Sequence, residues 1–123
     1  MLKQVTTTLV ALPILWACGG SFPEPKQPLA DAESASRSAR EVGANAQPGA
    51  KLHAKLADEQ IANAKELIAK GDNERASYVL LRARADAELS LALAREQNAI
   101  GAEQTAVEKS TTTYNANNPD AKP

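Results

Sequence analysis

The stretch Leu67-Ile68-Ala69-Lys70-Gly71-Asp72-Asn73-Glu74-Arg75-Ala76 decides how this chain folds. A helical apolar period runs into it, a glycine interrupts the period, and a residue suited to start a new helix follows at once. Gly71 can adopt the left-handed conformation that ends a helix one position past its cap. The Asp72 carboxylate can accept from the unpaired N–H groups of the next helix's first turn. The turn over residues 70–73 therefore predicts two antiparallel helices joined by a tight connection.

Working outward, the upstream helix is expected over residues 50–70. At ~100° per residue, Leu52, Leu56, Ala57, Ile61, Ala64, Leu67 and Ile68 take about half of its circumference. Lys51, Lys55, Asp58, Lys65 and Glu66 take the other half. The downstream helix is expected over residues 73–109. Its Ala76, Leu80, Ala83, Ala87, Leu91 and Ala94 fall near a heptad spacing and should face the upstream helix. A second seam of Tyr78, Leu89, Leu93, Ile100 and Val107 lies on nearly the opposite side, and its last three members keep a strict seven-residue interval. Antiparallel pairing should run out near Leu93, which leaves Ile100 and Val107 without an intramolecular partner. Two readings stay open: Ile100 and Val107 pack poorly on a fraying helix end, or Leu89, Leu93, Ile100 and Val107 form an interaction seam for another copy of the chain or for a different protein.

A shorter first helix is expected to start near Pro28, with Leu29, Ala32, Ala35, Ala39 and Val42 recurring every three or four residues and Gly43 as its stop. Before it, Pro23, Pro25 and Pro28 favour an extended spacer. The polar residues 110–123 are expected to be disordered. With 123 residues the chain offers at most one small domain. Alanine dominates its apolar positions, and alanine buries little area, at roughly 25 cal/mol per Å², while letting helix axes approach closely. The fold class expected is all-α: an antiparallel, coiled-coil-like helical hairpin with a shorter first helix, preceded by a signal peptide.

That last element is read from the first twenty residues. Lys3 supplies a positive start, and an apolar run from Val5 to Leu15 follows, too short for a transmembrane span of ~20 residues and suited to a signal peptide. Then come Leu15-Trp16-Ala17-Cys18-Gly19-Gly20-Ser21. Leu three residues before the chain's single cysteine, and a small residue just before it, resemble a bacterial lipobox. The resemblance implies cleavage between Ala17 and Cys18, a diacylglycerol on the Cys18 thiol and commonly a further acyl chain such as palmitate on its amine. Each buried acyl CH₂ contributes ~0.8 kcal/mol, so two or three chains form a permanent membrane anchor. Gly19, in place of an aspartate after the cysteine, implies the outer membrane, on its periplasmic face or at the cell surface. The expected organisation is 1–17 signal peptide, 18–28 lipidated cysteine and tether, 29–109 helical domain and 110–123 tail.

Chemistry is sparse. The formal net charge of −1 argues against a nucleic-acid partner, which would call for a basic stripe. His53 is the single histidine, and a metal site would need further ligands beside it. The acidic pairs Asp58/Glu59, Asp86/Glu88 and Glu103/Glu108 read as solvated helix faces or partners of Lys and Arg, as do Arg82, Arg84 and Arg95. No catalytic residue, metal site or small-molecule substrate is expected, and no cofactor beyond the covalent lipid on Cys18.

From Gln47 to Ala94 the chain resembles an uncharacterised family of Ala-rich bacterial lipoproteins, whose domain sometimes stands beside an OmpA-like peptidoglycan-binding domain. Pro48, the Gly71-Asp72 turn, Ala76 and the run Ala83-Arg-Ala-Asp-Ala-Glu-Leu-Ser-Leu-Ala-Leu-Ala94 carry the likeness. The family implies a helical domain without established catalytic residues. The expected function is a non-catalytic, membrane-anchored structural or protein-interaction module of the cell envelope. Its alternatives are a periplasm-spanning coiled-coil oligomer or an accessory subunit of an envelope complex.

Overall fold

The computed structural model describes residues 21–120, so the signal segment with Ala17, and Cys18 itself, lie outside the described residues. Three helices account for the architecture: α1 (Lys26–Glu41), α2 (Pro48–Ala69) and α3 (Asn73–Asn117), with one 3-10 turn at Ala44–Ala46 between the first two. No strand occurs among the described residues. The protein is all-helical.

The helix boundaries follow from local chemistry. α1 starts two residues before Pro28, because the Leu29 N–H donates to the Pro25 carbonyl (3.1 Å). Pro28 then occupies the third helical position, where an N–H has no intrahelical partner to lose. The extended stretch therefore ends at Pro25, not at 28. Gly43, at φ +95°, closes α1. Pro48 opens α2 at its first position, where a fixed φ favours the helix. At the other end of α2, Gly71 sits at φ +78°. Its N–H donates to the Ile68 carbonyl and that of Asp72 to the Leu67 carbonyl, both 2.9 Å, which satisfies two carbonyls the helix end would otherwise strand. Asp72 then caps α3 by accepting from the Arg75 N–H (3.3 Å).

The interior is a stack of alanines. Ala32, Ile61, Ala64, Leu80 and Ala83 form one cluster, and Ala39, Ala44, Ala50, Ala54 and Ala94 form a second. Partners advance along α3 as they retreat along α2, while α1 advances with α3. α1 lies chiefly against α3. On α3 the buried line is Ala76, Leu80, Ala83, Ala87, Ser90 and Ala94, an alternation of four and three that keeps one face toward its neighbours.

Three side chains stand elsewhere than expected. Leu91 is half-buried, and Ser90 holds the place in the seam, because its hydroxyl donates to the Ala50 carbonyl (2.7 Å) and so enters the core without an unmet donor. Leu52 is 56% exposed, since it lies ~140° around α2 from the Ala57 line that meets α3. Ala50 and Ala54 fill that contact instead. In α1 Ser36 is buried beside Ala32 and Ala39, while Ala35 is half-buried, and the Ser36 hydroxyl donates to Asp58 (2.7 Å).

Candidate interaction surface

α2 begins at Pro48, and the α3 residues that meet its start are Ser90, Leu93 and Ala94. Asn98 then donates to the Val42 carbonyl at the end of α1 (2.9 Å). Past Asn98 the helix runs on alone for 19 residues to Asn117, or ~28 Å at 1.5 Å per residue. Every described residue from Arg95 to Asp120 is exposed.

The expected disordered tail thus starts too early at 110. The hydroxyls of Thr111, Thr112 and Thr113 each donate to the carbonyl four residues back (2.9 Å). Bonded within the helix, they do not draw the backbone into a turn.

The seam read from the sequence divides in two. Leu93 is half-buried and packs on the second alanine cluster, with its Cδ1 over Gly49. Leu89 is 43% exposed, Ile100 40% and Val107 59%. Tyr114, one more seven-residue step along the same line, is 60% exposed. It was missed because the helix was expected to stop before it, although the interval 93, 100, 107, 114 is visible in the sequence.

The charges around this line are one-sided. At ~100° per residue, Glu96 and Glu103 lie within ~60° of Ile100 on one flank and Glu108 within ~80° on the other. Gln97, Gln104 and Thr111 run between them. Arg95 and Lys109 lie on the far side of the helix, at ~140° and ~180°. Glu96, Glu103 and Glu108 make no ion pair among the described residues.

Elsewhere several polar groups hold helices together. The His53 Nδ1–H donates to Asp86 Oδ1 (2.9 Å) and the Gln60 amide to Asp86 Oδ2 (2.6 Å), tying α2 to α3. The sequence showed no partner for His53, because Asp86 comes within reach only when α3 folds back past the Gly71 turn. Asp58 accepts from Ser36 and Arg40, and Lys65 pairs with Glu33 (2.7 Å), bridging α1 and α2 along an open groove that these residues line. Glu59 pairs with Lys55 and Glu88 with Arg84. The hydrogen bond and charge of Glu88, with the charge of Asp31, raise the Arg84 guanidinium above its ordinary value, so it stays charged throughout. No group of three His, Cys, Asp or Glu side chains able to hold a metal occurs among the described residues. No described helix is long and apolar enough to cross a membrane.

Fold and surface together define an all-helical protein with an alanine core and one unaccompanied helical arm. Comparison with protein families, with curated proteins and with solved structures finds no match.

Proposed function

We propose that the chain is a lipid-anchored, non-catalytic protein of the bacterial cell envelope that works as an interaction module. The free part of α3 carries this reading: a helical arm bearing an uncovered apolar line is a contact surface. The likeness of Leu15-Trp16-Ala17-Cys18 to a lipobox supplies the anchor, and Gly19 favours the outer membrane. Asn73 donates to the Phe22 carbonyl (2.9 Å), so the chain enters beside the Gly71 turn, and the arm leaves from the opposite end. On this reading the antiparallel, coiled-coil-like pair α2–α3 is a stem, the residues around Pro23 are its tether, and the arm reaches away from the bilayer.

Labelling with radioactive palmitate in a bacterial host tests the anchor. The wild-type chain should take up label and sediment with membranes. The Cys18→Ser chain should remain uncut, heavier and unlabelled; label on that variant would end the reading. A self-assembled coiled coil is the rival, favoured by the seven-residue interval of Ile100, Val107 and Tyr114. A defined dimer or trimer of the full chain in sedimentation equilibrium would support it.

A further inference from the structure

We propose that the free arm of α3 is the docking site for a partner helix that is apolar on one face and flanked by lysine or arginine. The inference rests on the reading of the chain as an interaction module, and it is independent of the anchor.

Three observations lead there. The first is the helix itself. Its 19 residues beyond Asn98 include Gly101, four threonines and two asparagines, all poor helix formers, and a lone helix of this length and composition is marginal in water. A neighbour laid along it would supply the missing stability. The second is the line Ile100, Val107 and Tyr114, whose seven-residue repeat suits one long helix alongside and not a globular pocket. Polar Gln104 and Thr111 between these positions make the seam shallow, so charge at its edges weighs heavily in the choice of partner.

The third observation selects the occupant. The positions flanking the line hold Glu96, Glu103 and Glu108 and no cation. In a parallel pair of identical arms, Glu103 of one copy would stand against Glu108 of the other, five residues on. In an antiparallel pair Glu96 and Glu103 would meet their own counterparts. Both arrangements place like charges at the edge of the seam. An anionic bilayer surface is disfavoured for the same reason. A helix with Lys or Arg at its flanking positions meets all three carboxylates with opposite charge, and such complementarity fixes the choice among partners.

The test uses two synthetic helices of about three heptads, equal in their Leu/Ile seam, one with Lys and one with Glu at every flanking position. Each is titrated with the full chain in a nonionic detergent, and binding is read by fluorescence anisotropy. The Lys-flanked helix should bind about tenfold or more tighter than its twin, with the gap shrinking as salt is raised. Changing Glu96, Glu103 and Glu108 together to Lys should reverse the preference. Ile100→Ser with Val107→Ser should abolish binding of both peptides. These positions lie beyond the bundle, so circular dichroism and unfolding of the remainder report that the fold is kept. Equal binding of the two peptides, binding of neither, or a dimer of the chain itself that is lost with Ile100→Ser and Val107→Ser would overturn the proposal. A chain that is unlabelled by palmitate yet prefers the Lys-flanked helix would lose its anchor and keep its docking site.

Discussion

Leu80 and Ser90 are the largest fully buried side chains among the described residues, and the rest of the buried set is mostly alanine. An alanine core has few atoms to lose, so the energetic weight rests on a handful of larger residues. Leu80→Ala should destabilise the fold by about 2–5 kcal/mol, since the helices around it are already held at alanine distance and have little room to collapse further. Leu52→Ala, on the exposed side of α2, should change stability by less than about 0.5 kcal/mol. Urea unfolding of the two variants measures the contrast. The same pair shows what could be read from the residues alone. Leu80, Ala83 and Ala87 follow a helical period that marks them as core. The leucine at 52 looked equally apolar, but its apolar arc was too wide to say which edge meets α3. Ser36 and Ser90 were invisible as core residues. Their burial depends on acceptors 22 and 40 residues away, and no local pattern reports those.

At the scale of the element, α3 is two helices in one. Its first part is held by α1 and α2, while its last 19 residues have only their own backbone bonds and the threonine hydroxyls. Hydrogen exchange should divide it accordingly. Amides 76–94 should exchange only on global unfolding, and amides 101–117 should exchange close to the unprotected rate until a partner is bound. Uniform protection along α3 of the free chain would contradict this division. The start of the free part was legible, because α2 is too short to accompany α3 past Leu93. Its end was not. Three consecutive threonines and the asparagines after them read as tail, and their hydroxyl bonds to Val107, Glu108 and Lys109 emerge only once the helix is built.

For the whole molecule, the least secure attachment is that of α1. It contributes Ala32, Ser36 and Ala39 to the interior, and its bonds to the other helices run through Asp58, Lys65 and Arg84, with Asn98 on the Val42 carbonyl at its end. The ion pairs are partly exposed, so each is worth roughly 0–1 kcal/mol. Arg40 also donates to the Ser36 oxygen (3.0 Å), which can do without it, but Asp58 differs because it is the acceptor for the hydrogen of that buried hydroxyl. Arg40→Ala should therefore cost no more than about 1 kcal/mol, whereas Asp58→Ala, which strands that hydroxyl, should cost about 1–3 kcal/mol. Equal losses in urea unfolding would mean that the serine bond contributes nothing. The helical class was drawn from short local patterns. The way α1 rests mainly on α3 needs three elements at once and could not be drawn from any one of them.

The Gly71 turn has a consequence for the order in which the chain assembles. Once Ile68 and Leu67 have accepted from Gly71 and Asp72, Leu67 and Ala76 are already neighbours, and each further pair closes only the small loop left by the last. His53 reaches Asp86, and then Ala50 reaches Ser90, without a long search through open chain. Successive closures of this kind each add only a short further loop and so cost little entropy. The glycine that ends one helix thus also sets where folding starts. A newly made chain released into water would close α2 on α3 from that point before its arm meets anything else.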